Sequence, residues 1–255
     1  MNQEWKVQNF EWGSFALDGG AMFGVVPKTL WSQLIIPDEC NRIPLSLKSL
    51  YLEKGESKVL VDLGMGFDWD EKYKKIYKLE TSPVEVLLKN KLNIKATEIT
   101  HIVLTHLHFD HCGFLAQKKG NEWESTFPNA EIFLLEENYK NAMNPNVREA
   151  ASYLPHLWAK AYKDKQFSLI PCEWLEHREI LPGLFYRRVD GHTRGQGMLY
   201  IDGIQEKSLF LGDLCPTRHH TKEAYVMGYD LNPGLSVIEK RQIFSEPTAT
   251  DLMII

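Results

Sequence analysis

Thr105-His106-Leu107-His108-Phe109-Asp110-His111-Cys112-Gly113 places four side chains of metal-ligand type, His106, His108, Asp110 and His111, within six positions. Imidazole nitrogen and carboxylate oxygen are the usual ligands of zinc and similar ions. In an extended turn, alternation puts His106 and His108 on one side. Asp110 and His111 follow where the chain bends toward Gly113 and can point to a neighbouring ion, so the spacing suits two adjacent metals better than one. Burying these groups without a cation would leave polar atoms unpaired at considerable cost. The isolated His101, His156 and His177 carry no such implication and read as surface or hydrogen-bonded residues.

Residues 99–105, just before the cluster, form a short apolar run that reads as a strand. Working outward, residues 46–53 and 58–63 read as two strands joined by a turn at Lys54-Gly55-Glu56. Ser82-Pro83-Val84-Glu85 has the pattern of a capping box with Pro at the first helical position, opening a helix to about Lys91 that buries Val84, Leu87 and Leu88. Glu131–Leu135, Leu184–Val189, 198–201 and 208–211 read as strands, and 251–255 as a last one. Residues 237–244 read as a helix, as do 146–163 with a break or kink at Pro155. Strands and helices interspersed in this way predict an α/β domain whose sheets are covered by helices. His192 and Asp213 fall just past the strands 184–189 and 208–211, at strand ends where sites are usually built. Residues 15–44, with Asp18-Gly19-Gly20, Gly24, Pro27, Pro37 and Pro44, cannot form one long helix and are expected to be an irregular N-terminal arm.

A chain of 255 residues with 44% hydrophobic and 25% charged residues is long enough for one substantial core. It shows no repeat, low-complexity tract or linker, so residues 1–255 are expected to form a single domain. A net charge of -5 argues against gripping nucleic acid. Cys40, Cys112, Cys172 and Cys215 contain no Cys-x-x-Cys pair and read as free thiols of a reducing compartment. The first ten residues lack an apolar signal region, and no stretch approaches the ~20 apolar residues of a membrane span. The expectation is a cytoplasmic protein acting on a small molecule, without nucleic acid or membrane. No Gly-x-Ser-x-Gly elbow supplies a serine nucleophile.

Four blocks together resemble the signature of the metallo-β-lactamase superfamily. They are the 105–113 motif, Val61-Asp62-Leu63-Gly64, Gly191-His192-Thr193 and Leu211-Gly212-Asp213, in matching order and rough spacing over residues 59 to 215. The resemblance implies a four-layered αββα sandwich with metals at one edge of its two sheets. A closer likeness is to the N-acyl homoserine lactone lactonases, the quorum-quenching subgroup. It is carried by residues 17–28, by Asn41-Arg42-Ile43-Pro44-Leu45, by Gly212-Asp213-Leu214-Cys215-Pro216-Thr217 and by Met227-Gly228-Tyr229-Asp230. By that resemblance the cofactor is a pair of divalent metal ions, zinc being expected. His106, His108 and His192 would hold the first, Asp110 and His111 the second, and Asp213 would bridge them. Asp62 would orient a ligand without binding metal, Asp110 would also act catalytically as proton acceptor, and His220, Phe23 and Met22 would line the substrate pocket.

The chain departs from the pattern in three places. Where relatives often read Gly-His-Thr-Pro-Gly-His, it has Gly191-His192-Thr193-Arg194-Gly195-Gln196. Arg194 at the pocket rim would favour an anionic substrate; the alternative is a solvated loop arginine. The position of a lactone-contacting tyrosine falls within Cys215-Pro216-Thr217. No histidine follows His220, whereas the subgroup has one just past its final strand, so the second metal is expected to be held more loosely. The implied activity is attack of a metal-activated hydroxide on an ester-like bond, a lactone such as an N-acyl homoserine lactone leading. The alternatives are a thioester hydrolase of the glyoxalase II type or a metal-binding, non-catalytic member. The apolar segment 21–36 is expected to line the pocket mouth and a homodimer interface.

Overall fold

The computed structural model describes residues 4–203, 207–246 and 253–254. Its strands are β1 (Lys6–Asp18), β2 (Arg42–Lys54), β3 (Ser57–Val61), β4 (Glu80–Thr81), β5 (His101–Val103), β6 (Ala116–Lys119), β7 (Glu122–Ser125), β8 (Glu131–Leu135) and β9 (Phe167–Ile170), followed by β10 (His177–Leu181), β11 (Leu184–Val189), β12 (Gln196–Asp202), β13 (Lys207–Phe210) and β14 (Met253–Ile254). The first nine, apart from the separate β6–β7 hairpin, form a seven-stranded sheet in the order β4-β1-β2-β3-β5-β8-β9. The last five form a second sheet, β10-β11-β12-β13-β14.

Side-chain parity along the strands builds the layers. Val59, Val61, Val103, Phe133 and Leu135 point from the first sheet into a core shared with Leu184, Tyr186, Leu199, Ile201 and Phe210 of the second. Their neighbours Leu60, Ile102, Ile132 and Leu134 point the other way, onto Val84, Leu87 and Leu88 of the helix Val84–Leu92. On the far side, Met198 and Leu209 pack on Ile243 of the helix Pro233–Ser245. Helix, sheet, sheet and helix make the four-layered αββα sandwich. The central strands are buried on both faces and accordingly read as unbroken apolar runs.

Several local expectations need correction. The arm is shorter than residues 15–44: Phe15 to Asp18 end β1, Arg42 to Pro44 begin β2, and these ends pair as Ala16↔Pro44 and Asp18↔Arg42. Pro44 is tolerated because β3 pairs only with the far half of β2, leaving this part of β2 without a second neighbour. Between them lie only the short helices Gly19–Phe23 and Lys28–Trp31 and their turns. Residues 146–163 are not one helix broken at Pro155. They are two 3₁₀ turns, Ala150–Ser152 and Pro155–Leu157, followed by the helix Ala159–Lys163. The helix after Ser82 starts at Val84 with Pro83 as its cap and no side-chain capping bond. Of the expected strand 251–255, Met253–Ile254 pairs in parallel with β13; residues 251, 252 and 255 lie outside the described residues. All four cysteines are free, and no described helix is long and apolar enough to cross a membrane.

The histidine motif is fastened to the turn after β3. Leu63 N–H donates to His111 O at 2.6 Å, Gly113 N–H to Gly64 O at 2.7 Å and Phe114 N–H to Leu63 O at 3.1 Å. The two chains approach so closely that a Cβ on Gly113 would lie 1.9 Å from the Met65 carbonyl carbon. Gly113→Ala is therefore expected to cost about 3 kcal/mol in urea unfolding. Gly120→Ala, at φ +62 with nothing within 4 Å of its Cβ, should cost only about 1 kcal/mol. Equal losses would show that this contact does not constrain the fold.

Candidate metal centre

β3 and β5 run parallel, so the turns leaving them lie side by side. Asp62, on the first turn, has a left-handed φ of 55° and is 1% exposed. Its Oδ1 accepts from Thr105 N–H at 2.7 Å, and its Oδ2 accepts from Thr105 Oγ1–H at 2.8 Å and His111 Nδ1–H at 2.8 Å. With the threonine proton committed to Asp62, His106 Nδ1–H donates to Thr105 Oγ1 at 2.9 Å. Both rings therefore turn Nε2 inward. His192 does the same, since its Nδ1–H donates to Asp230 Oδ1 at 3.0 Å.

Three ring nitrogens then converge. His108 Nδ1 lies 3.0 Å from His106 Nε2 and 3.2 Å from His192 Nε2. Asp213 Oδ2 is 3.3 Å from His192 Nε2, and its Oδ1 is 3.2 Å from His111 Nε2. Asp110 Oδ2 lies 3.7 Å from His111 Nε2. One proton on His108 Nδ1 cannot serve two lone pairs at once, whereas a tetrahedral cation with bonds of about 2.1 Å holds its nitrogens about 3.4 Å apart. The donors His106, His108 and His192 form one group that can hold a metal, and His106, His111 and Asp213 form a second. Asp213 has an oxygen toward each. Burial opposes charge on His111, but the carboxylates of Asp213, Asp110 and Asp62 outweigh it and raise its pKa well above the usual value. Burial, reinforced by the neighbouring histidines, depresses that of His106. The site is thus built to hold positive charge between His111 and Asp213 and neutral nitrogen donors at His106.

The backing roles of three groups, Glu149, Glu239 and the Asp230 already described, escaped the sequence reading. Glu149 is 4% exposed; it accepts from Thr193 Oγ1–H at 2.6 Å, Asn141 Nδ2–H at 2.9 Å and Asn146 Nδ2–H at 3.0 Å. Its Oε2 stands 3.6 Å from His108 Nε2, a buried nitrogen with no hydrogen-bond partner among the described residues. Glu239, on the helix Pro233–Ser245, accepts from Asp190 N–H at 2.7 Å, Trp174 Nε1–H at 2.8 Å and Gly191 N–H at 3.1 Å, fixing the loop that carries His192. Glu149 was hidden inside an expected helix. Asp230 and Glu239 are remote in sequence from the histidine they support, so no local spacing marks them.

The centre forms the floor of a cavity of about 1110 Å³. Phe15, Leu17, Leu45 and Leu47 from β1 and β2 wall it on one side, with Met22, Leu34 and Ile35 from the arm. Of the residues expected in the pocket, Met22 lines this cavity. Phe23 and His220 do not: both are fully buried behind the wall, stacked at 5.0 Å, with His220 Nε2–H donating to Met22 O at 2.8 Å. Arg194 lies away from the cavity and pairs with Glu137 at 2.8 Å. Gln196 donates to Leu211 O at 3.0 Å and ties β12 to the end of β13. Tyr229, whose phenol is raised to about 12 by burial and by Asp18, Tyr77 and Asp110, enters the cavity as a neutral donor.

Burial lifts the Glu239 carboxyl from its ordinary 4.5 to about 7, against the N–H groups that favour its anion. Across that interval the folded protein holds a proton that the unfolded chain releases. The stabilisation is therefore complete below pH 4.5 and is lost as pH rises to about 7. In the metal-free protein, wild type should lose on the order of 3 kcal/mol relative to Glu239→Gln over this range, read by denaturant unfolding. A pH-independent difference would contradict it.

The family model of the metallo-beta-lactamase superfamily matches residues 44–240. Among curated proteins, the chain is 24% identical over 181 residues to an RNase J-like protein of Methanocaldococcus jannaschii, covering 69% of this chain and 34% of that one. It is 25% identical to a probable metallo-hydrolase of Mycobacterium tuberculosis, covering 67% and 57% of the two chains. It is 26% identical to an N-acyl homoserine lactonase of Bacillus thuringiensis, covering 61% and 54%. The matches thus span from about a third to just over half of these relatives' lengths. Among solved structures, a probable metal-dependent hydrolase from Staphylococcus aureus is similar over 100% of this chain and 90% of that one, with TM-score 0.89 and 27% identity. AidC, a dizinc quorum-quenching lactonase, shares the fold at TM-score 0.76 and 18% identity, over 100% and 88% of the two chains. The chain belongs to the metallo-beta-lactamase superfamily.

Proposed function

We propose that this metallo-hydrolase cleaves an ester-like bond in a small molecule, a lactone of the N-acyl homoserine type leading, with two divalent metals, zinc first among them. In this reading His106, His108 and His192 hold the first metal, Asp110 and His111 the second, and Asp213 both. The observation that carries it is the convergence of His106, His108, His192 and Asp213 at the floor of a cavity whose other wall is apolar. The likeness to a named lactonase supports the lactone.

Bound there, the metals would lower the pKa of a water toward ~7 and polarise the substrate carbonyl. The protein's own groups do the rest. Asp110 accepts the proton of the attacking water and returns it to the leaving oxygen. The apolar wall seats the substrate chain and excludes water. Thr105, Asp230 and Glu149 hold His106, His192 and His108 in register.

His106→Ala and Asp213→Ala should each lower hydrolysis at least ~100-fold with the circular dichroism spectrum retained, since each removes a ligand and not core packing. Glu149→Gln should weaken metal retention about tenfold in chelator competition. A panel of lactone, thioester and phosphotriester substrates on metal-loaded protein identifies the bond class. Near wild-type turnover by either ligand variant at saturating substrate would refute the reading.

The homodimer belongs to the same proposal. Val25 and Ile36, on the arm, are 94% and 85% exposed. Light scattering should report a dimer at micromolar concentration, and a strict monomer would exclude it.

A further inference from the structure

We propose that the cavity selects amphiphilic anions, molecules that join an apolar chain to a carboxylate or phosphate. This rests on the hydrolase reading above and narrows its substrate class to ester-like molecules, lactones leading, whose chain carries an anion. The chain has eight arginines in a protein of net charge -5. Six of them, Arg42, Arg178, Arg187, Arg188, Arg194 and Arg241, pair with a carboxylate. The two that pair with none among the described residues are Arg148 and Arg218, and both line the cavity. Lys48, a third lining cation, is also without an ion pair there. Among the described residues, the lining carboxylates are Asp110, Asp213 and Glu149, all of them placed at the floor with the histidines. A net-acidic surface could have neutralised these cations, yet on the cavity lining they are left without a paired carboxylate among the described residues.

Both arginines belong to one wall. Arg148 Nη2–H donates to Gly228 O, Gly228 N–H donates to Ala21 O at 2.8 Å, and His220, two residues past Arg218, donates to Met22 O at 2.8 Å. The segments carrying the two guanidinium groups are therefore tied to adjacent carbonyls of the helix Gly19–Phe23. Arg148 also directly precedes Glu149, which backs His108, and Arg218 follows Asp213 by five residues. The bond to Gly228 leaves Arg148 further N–H groups for an oxyanion, and a guanidinium fork matches carboxylate and phosphate alike. Across the cavity, Phe15, Leu17, Leu45 and Leu47 offer the apolar surface for the chain. A neutral substrate uses half of this lining, whereas an anionic one uses both halves.

The test is a set of lactones whose side chains, short and long, end in methyl, carboxylate or phosphate. For at least one chain length an anionic member should exceed the methyl member in kcat/KM by about tenfold, and that ratio should fall toward one in Arg148→Met and Arg218→Met. The ratio should also shrink as salt is raised, because exposed charge pairs are screened. Arg218 makes no side-chain hydrogen bond among the described residues, so its variant separates charge from wall integrity. Whichever of carboxylate and phosphate gives the larger ratio names the anion. A neutral member that is best at every length, or a preference that survives both substitutions, overturns the proposal. If no lactone turns over, the lactone reading fails by itself. Calorimetry on metal-free protein then decides this inference. Octyl phosphate or octanoate binding about tenfold tighter than octanol, with the margin lost in Arg218→Met, supports it, and equal binding overturns it.

Discussion

The arrangement of the site depends on a carboxylate that holds no donor position in it. Asp62 is buried beneath the floor and receives Thr105 and His111 together. A buried carboxylate without partners would be costly, and three hydrogen bonds offset that cost only in one geometry. That geometry orients the rings at both ends of the histidine motif. Through the threonine hydroxyl it also sets which nitrogen of His106 faces inward. The neighbouring backbone clamp between residues 63–64 and 111–114 holds the motif at the same height. Had Asp62 pointed elsewhere, the four ligand-type side chains would have remained close in sequence without sharing a centre.

The remaining donors arrive from the second sheet, and the interface between sheets decides where they arrive. Tyr186 shows how the two layers are keyed: from the middle of β11 its hydroxyl donates toward Leu104 O, just past β5, at 2.7 Å and lies 2.9 Å from Phe133 O of β8. β11 then delivers the loop bearing His192, which is fastened by Asp230, itself held by Ser236 of the helix Pro233–Ser245, and by Glu239 of the same helix. The metal floor is thus a joint between layers, and its precision is that of the sheet packing.

How much of this was legible in the sequence follows from how local each signal is. The ligand cluster was legible because four of its members are covalently adjacent, and the central strands because burial on both faces writes unbroken apolar runs. β1 was missed because its exposed stretch, Lys6 to Asn9, is mostly polar and only later alternates. Residues 146–163 have helical composition, but Glu149 and Tyr153 turn inward to a buried polar network with Thr193, and those tertiary bonds override propensity. His220 is near the site in sequence, yet its ring serves the wall from behind. Proximity in sequence to Asp213 did not distinguish a residue that faces the cavity from one that supports it.

The tethers Gly228 to Ala21 and His220 to Met22 carry a consequence for how such a protein can diversify. They join the N-terminal arm to the segment after Asp213 without involving any side chain of the metal floor. The arm and that segment can therefore change length and composition as a matched pair while the chemistry beneath stays intact. In the reading proposed above, reaction and recognition would form separable parts, with two backbone carbonyls as the seam. Transplanting the pair onto a relative would then move the cavity wall and leave the histidines and carboxylates of the floor where they were.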